Sequence, residues 1–307
     1  MSGGGGARVS DVDVVVVGAG IAGLACARVL VDGGARVRVF ERGPGVGGRL
    51  SSEQVDGRPV DVGAAYLVAD HPDFVAQVSA WERLGLARPW TDTLRVYPGG
   101  EDSAGPVRWA ASGGLRSLAV ELAGGIDVQP GRLIESVPDD ADAVVLAMPG
   151  PQALRLGPPA AIAAAAEAQV WRPVIVAVLT YPSREWGELR GAFVNDHPLL
   201  ATVCDDGDRR GDGAAVLVAH STAALAARYL DDPAAAGPVL AGAVGELLGL
   251  RGRPEVRVHR WTFAQPEAGD SEYAADGRVW LCGDAFGRPR VQTAWLSGRA
   301  VARALLS

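Results

Sequence analysis

Gly18, Gly20 and Gly23 stand in the run Gly18-Ala19-Gly20-Ile21-Ala22-Gly23, directly after four valines and at the head of a further apolar stretch. In a G-x-G-x-x-G turn the first glycine permits a tight bend. The second lets the backbone approach a diphosphate, and the third lets helix and strand pack closely. The N–H groups of Ile21 and Ala22 then lie at a helix N-terminus, where free donors and a partial positive charge favour an anion. Glu41 follows 18 residues beyond Gly23, where a carboxylate ending the next strand accepts the hydroxyls of an adenosine ribose. These residues in this order point to a bound dinucleotide.

Three features favour FAD over a nicotinamide dinucleotide. The fingerprint is N-terminal, no second fingerprint follows, and Gly45-Val46-Gly47-Gly48-Arg49 comes soon after Glu41. Glycines such as Gly48 would again admit the pyrophosphate while Arg49 and Arg42 neutralise it. Gly63, and Leu133 on a strand expected near Arg132 to Val137, are assigned to the same cofactor. Leu281-Cys282-Gly283-Asp284 supplies the distal end: Gly283 and Asp284 end a strand, where the carboxylate reaches ribityl hydroxyls. Val291, Gln292 and Trp295 open the terminal helix, whose N-terminus can face the N1–C2=O edge of a flavin.

Hydrophobic periodicity supplies the elements that must position these residues. Asp11 to Val17 is expected as a buried strand, Ile21 to Val31 as a helix closed by Gly33-Gly34, and Arg36 to Phe40 as a second strand. Further helices are expected at Phe74–Leu84, Gly114–Leu122, Ala160–Gln169, Ala223–Leu230, Val239–Leu248 and Thr293–Leu306. Strands are expected at Leu94–Tyr97, Val107–Trp109, Ala143–Ala147, Pro173–Tyr181, Ala215–Ala219, Val256–Phe263 and Val279–Cys282. Asp205, Asp206, Asp208 and Asp212 enclose Arg209 and Arg210, and a solvated hairpin turn is preferred there over a metal loop.

All 29 basic residues other than histidine are arginine; there is no lysine. That excludes Schiff-base, pyridoxal-phosphate and P-loop chemistry, each of which needs a lysine amine. A net charge of −7 with scattered arginines argues against nucleic acid. Three separated cysteines form neither a disulfide framework nor a zinc site, so no metal is expected and a reducing, cytoplasmic compartment fits. The apolar run Val14–Val31 is broken by glycines and Arg28 and is expected to be a buried strand and helix, not a membrane span. Met1–Ser10, with four successive glycines, is expected to be a flexible leader.

The combination of GAGIAGL, Glu41, Gly47-Gly48-Arg49, Asp61-Val62-Gly63-Ala64-Ala65-Tyr66, the Ala147-Met148-Pro149 break, His259-Arg260-Trp261 and the distal Gly283-Asp284 with Ala294-Trp295-Leu296-Ser297-Gly298 resembles the renalase branch of the FAD-dependent amine oxidase superfamily. The resemblance runs from about Asp13 to Leu306. It implies an α/β, two-domain, p-hydroxybenzoate-hydroxylase-like flavoprotein with noncovalent FAD. Residues 11–64, 112–152 and 270–307 would form a Rossmann-type FAD domain, and 65–111 with 153–269 a substrate domain of β-sheet and helices. Renalases oxidise isomers of NAD(P)H by hydride transfer to flavin N5, and O2 then takes the electrons as H2O2. The resemblance makes Tyr66, Trp109, His220 and Thr222 the candidates around the reacting substrate.

This sequence also departs from the family pattern. Ala65 replaces a glutamine, Gln292-Thr293 replace Glu-Gly, and Leu225 replaces a tryptophan. Monoamine and polyamine oxidases of the superfamily commonly hold a lysine, through water, against flavin N5; a chain without lysine cannot. The flavin side thus looks kept and the substrate side altered. Two further possibilities follow: a flavin amine oxidase or desaturase acting on a secondary metabolite, and a noncatalytic FAD-binding protein. The expected partners are a small-molecule substrate and O2.

Overall fold

The computed structural model describes residues 12–307; the Met1–Ser10 leader lies outside them. The chain divides into two compact units, one of Met1–Gly48, Ala119–Val170 and Pro266–Ser307, the other of Arg49–Leu118 and Trp171–Gln265.

In the first unit Asp13–Val17 (β1), the helix Ile21–Asp32 (α1) and Arg36–Glu41 (β2) form a βα-β crossover. Val14 to Val17 are all buried, as a strand covered on both faces requires. The six-stranded sheet runs Ala274–Asp276, Val279–Leu281, Ala143–Leu146, β1, β2, Asp127–Pro130. All neighbours are parallel except the first pair. Chain order reverses between β1 and Ala143–Leu146, so the crevice beyond their carboxyl ends is the place where such a sheet holds a ligand. The helix Ala160–Glu167 buries Ile162 and Ala166 against Val15, Val144, Leu146 and Leu281, which keeps residues 153–170 with this unit.

The second unit is built on a seven-stranded sheet in the order Glu255–Pro266, Trp171–Thr180, Val216–Ser221, Leu200–Asp205, Gly191–Val194, Arg88–Tyr97, Glu101–Ala110. Alternation along two central strands defines its faces. Ile175, Ala177, Leu179, Leu217 and Ala219 pack with Leu240, Ala243 and Val244 of the helix Ala236–Leu248. Val174, Val176, Val178, Val216 and Val218 pack with Val55, Val60 and Val62. Residues 49–64, expected from sequence in the FAD domain, fall instead in this unit, because the hairpin Ser52–Val55/Arg58–Asp61 covers its sheet.

Three further expectations are corrected. The strands at Leu94–Tyr97 and Val107–Trp109 are parts of a longer hairpin of two ten-residue strands, Arg88–Tyr97 and Glu101–Ala110, the first next to the turn and the second at its open end. No strand occupies Arg132–Val137: Asp127–Pro130 takes the place beside β2, and the chain turns away at Gly131, whose φ is 72°. Asp206–Arg210 is a short buried helix and not a solvated turn, with Asp206 and Arg209 almost wholly hidden. Among the described residues no helix is long and apolar enough to cross a membrane, and no group of three or more His, Cys, Asp or Glu is placed to hold a metal ion.

Candidate functional site

The first unit gathers the glycine turn, Glu41 and both distal motifs around the start of α1. Gly18 has φ 108°, and a Cβ there would lie 2.5 Å from the Ala147 carbonyl oxygen, at the end of the adjoining strand. A Cβ on Gly23 would meet the Gly18 carbonyl oxygen at 2.0 Å. These positions therefore need glycine for packing. Gly20 differs: it is the N-cap of α1, offers no side-chain cap, and a Cβ there meets nothing within 4 Å. Open space thus lies before an uncapped helix N-terminus headed by Ile21 and Ala22, the feature a diphosphate requires.

Glu41 closes β2 with its carboxylate turned back onto this turn. One oxygen accepts from Ala19 N–H at 2.9 Å and the other from Gly43 N–H at 2.7 Å. Each keeps a second lone pair for a ribose hydroxyl. The Gly43–Gly48 loop is not a free surface loop, because Gly47 N–H donates to Ala19 C=O at 2.9 Å and Gly47 has φ 116°. Gly48 lies beside Gly20, its added Cβ 3.2 Å from the Gly20 Cα. Arg42 is exposed at the rim, and Leu133 is 63 % exposed just beyond Arg132, which stacks on Phe40.

The C-terminal motif is tied to the same place residue by residue. Ser297 accepts from Gly283 N–H at 3.0 Å and donates to the Glu272 carbonyl at 2.6 Å, fixing the strand end that carries buried Asp284. A Cβ on Gly298 would lie 1.9 Å from the Ala22 carbonyl oxygen, so the helix Val291–Leu306 touches the first turn of α1 backbone to backbone. That helix has no side-chain cap from its N-cap residue and no acidic residue in its first turn, where Val291 and Gln292 lie; Gln292 and Trp295, at the start of the second turn, are buried. The donor set fits a flavin dinucleotide: open space at one helix N-terminus, a carboxylate for ribose, a buried Asp284, and a second helix N-terminus without a side-chain cap from its N-cap residue.

In the second unit the Asp61–Leu67 segment is gripped almost residue by residue. Asp61 accepts from Ser52 Oγ at 2.5 Å and Leu115 N–H at 2.8 Å, and pairs with Arg210 at 2.9 Å. Trp261 Nε1–H donates to Val62 C=O at 2.7 Å, and Arg209 donates to Ala65 C=O at 2.6 Å. Leu67 exchanges backbone hydrogen bonds with Trp109. Gly63 must be glycine because a Cβ there would lie 2.0 Å from the Arg49 carbonyl oxygen. The Arg49 side chain donates to Ala264 C=O at 3.0 Å and lies over the Trp171 ring.

His220 and Thr222 take structural parts in this scaffold. His220 Nε2 lies 3.0 Å from Gly63 C=O, which can only accept, so Nε2 carries the proton and Nδ1 accepts from Thr202 Oγ1 at 3.0 Å. Burial pushes its pKa down to about 4, leaving the ring neutral with both nitrogens used. Thr222 caps the helix Ala223–Arg228, accepting from Leu225 N–H and donating to Pro198 C=O. Tyr66 is half-buried at 6.2 Å from the Trp90 ring, near Trp109 through the Leu67 bridge.

Sequence reasoning missed the buried ion cluster beneath this segment. Asp206, fully buried, pairs with Arg58 at 2.5 Å, with Arg210 at 3.3 Å and with Arg209. These arginines hold its carboxyl at a pKa of about 2 against the opposing effect of burial. The D-x-D-R-R spacing was the available signal, since i, i+3 and i, i+4 pairs meet on a helix.

Residues 16–79 match the NAD(P)-binding Rossmann-like domain, and residues 120–306 match the flavin containing amine oxidoreductase model. A putrescine oxidase of Kocuria rosea is 43% identical over 89 residues, 29% of this chain and 17% of that protein. A carotenoid 3,4-desaturase of Haloarcula japonica is 46% identical over 63 residues, 20% of this chain and 13% of that protein. The matched segments thus span less than a fifth of these relatives' own length. Among solved structures, the cyclohexylamine oxidase of Brevibacterium oxydans superposes with a TM-score of 0.77 at 15% identity, covering 96% of this chain and 99% of that one.

Proposed function

The chain belongs to the flavin-containing amine oxidoreductases, and from that premise we propose that it binds FAD noncovalently and oxidises a small substrate at a carbon bonded to nitrogen. The observation that carries this reading is the convergence, at the start of α1, of the open Gly20 turn, Glu41 and the Gly298 backbone of the helix Val291–Leu306. When bound, FAD supplies a two-electron acceptor that O2 can reoxidise. Noncovalent attachment is supported by the thiols: Cys282, the one beside the distal motif, is buried and pushed up to about 12, so it offers no thiolate.

The chain's own residues bind, orient and exclude water. Ile21 and Ala22 present N–H groups to the diphosphate, Glu41 holds the ribose, and the gripped Asp61–Leu67 segment presents Tyr66 as a wall. His220, neutral with its proton committed to Gly63, supplies no general base. That favours removal of a hydride, which needs none. Carbon next to nitrogen suits it, because the nitrogen lone pair stabilises the cation left behind.

Isomeric dihydronicotinamide nucleotides, as in the renalases, and simple amines both present such a C–H bond. Anaerobic mixing with each class, followed at the flavin band near ~450 nm, tests the proposal; peroxide release on admitting air tests O2 as acceptor. Bleaching by either class supports it, and failure of both to bleach a flavin that dithionite does reduce contradicts it.

A further inference from the structure

Arg108 differs from the other buried arginines of the second unit. Arg209 and Arg210 both pair with carboxylates. Arg108 is only 6 % exposed yet has no carboxylate partner among the described residues. Asp92 meets Arg108 through its backbone carbonyl, while its carboxylate accepts from Thr93 Oγ1 at 2.8 Å. A buried, uncompensated guanidinium is costly and persists where an anion completes it.

Its surroundings define the missing group. Arg108 follows a bulge in the hairpin, where Gly105, Pro106 and Val107 stand opposite Asp92 alone, between the pairs Thr93–Ala104 and Thr91–Arg108. A bulge re-aims the side chain beside it and is frequent next to binding sites. One edge of the guanidinium is spent there: Nη1 donates to Asp92 C=O at 2.8 Å and to Pro106 C=O at 3.4 Å. The other edge is unspent, with Nε buried and without an acceptor. Nε and Nη2 form the fork that takes two oxygens of a carboxylate or phosphate side by side. The plane is held over the rings of Tyr66 at 5.4 Å and Phe193 at 5.7 Å, so the fork is fixed before anything binds. Glycine at 105 keeps a methyl from standing 3.4 Å from Nη2.

We propose that the Nε–Nη2 edge of Arg108, beside Tyr66, binds an oxyanion of the substrate, so that the substrate is a nitrogen compound bearing a carboxylate or phosphate and not a plain amine or diamine. This inference rests on the functional reading above, in which Tyr66 walls the substrate. A cationic diamine meets repulsion here, and a neutral amine leaves the guanidinium unsatisfied.

The test is calorimetric titration of the purified, FAD-loaded protein with benzoate, phenyl phosphate and the uncharged benzamide, alongside Arg108→Met and Arg108→Lys. It reads binding and not turnover, so it fails or succeeds independently of the oxidation assay. Benzoate or phenyl phosphate is expected to bind saturably, whichever is tighter naming the oxyanion. Benzamide should bind roughly 30-fold or more weakly, and Arg108→Met should lose a similar factor. Arg108→Lys, which keeps the charge and loses the fork, should fall between; it decides the matter if the methionine variant does not fold. Equal binding of benzoate and benzamide, no oxyanion binding to the wild type, or unchanged affinity in Arg108→Lys overturns the proposal.

Discussion

Gly298→Ala tests the backbone contact that fixes the terminal helix against the dinucleotide turn. The added methyl would sit 1.9 Å from the Ala22 carbonyl oxygen, about 1.5 Å short of the 3.4 Å at which ordinary contact begins. The obstacle is backbone on both sides, so no rotamer change relieves it and the two helices must part. Overpacking of this kind costs typically 1–3 kcal/mol, and rigid backbone puts this case near ~3 kcal/mol. Replacing glycine by alanine inside a helix returns about 1 kcal/mol of backbone entropy. The net expectation is a loss of about 2 kcal/mol, with weaker FAD affinity because the displaced element carries the first turn of α1. Gly245→Ala is the matched control: it lies within the helix Ala236–Leu248 and an added Cβ meets nothing within 4 Å. It should gain up to about 1 kcal/mol. Urea unfolding of the three proteins, followed by circular dichroism, gives both signs. If Gly298→Ala gains stability as Gly245→Ala does, the contact does not exist and the account of the Ser297-Gly298 motif fails.

Asp206→Asn leaves Arg58, Arg209 and Arg210 facing one carboxylate fewer in a buried cluster, and a loss of roughly 3–5 kcal/mol is expected in the same unfolding assay; a change below about 1 kcal/mol would show the cluster to be solvated. His220 has a folded pKa of about 4 against an ordinary 6.5. Because the unfolded chain binds the proton first, stability should be full above pH ~6.5 and fall as pH drops toward 4, by up to about 3 kcal/mol. His220→Gln should flatten that part of the pH profile, and an unchanged slope would refute the assignment. Cys26, Cys204 and Cys282 are buried with raised pKa values, Cys204 to about 11. A thiol reagent should label none of them in the native protein and all three after denaturation; rapid native labelling of any one contradicts the burial.

The first βαβ unit was legible because its information is local: continuous valines, spaced glycines and one acid at the next strand end lie within 29 residues of one another, Asp13 to Glu41. The distal motif was legible as a pattern, but the reasons for its residues were not. Ser297 serves Gly283 and Glu272, and Gly298 serves Ala22, contacts that only the fold creates. Periodicity failed on the hairpin Glu101–Ala110 because its first seven residues are exposed and carry no apolar alternation. It also drew a strand over Leu133, an apolar residue that the turn at Gly131 leaves in solvent. The Asp-rich segment read as surface because its neutralising partners Arg58 and Asp61 lie some 150 residues away in sequence. The hydrogen bonds that His220 makes to Gly63 and Thr202, and Thr222 to Pro198 and Leu225, are contacts that only the fold creates, and a histidine and a threonine at a strand end carry no local signal for them.

The most direct measurement is FAD binding by the purified chain and by Glu41→Gln, read as the flavin absorbance band retained after desalting and released on denaturation. The structure predicts a retained, acid-releasable flavin in the wild type and at least tenfold weaker retention in the variant, about 1.4 kcal/mol. A wild-type protein that remains colourless after incubation with FAD would contradict the central claim.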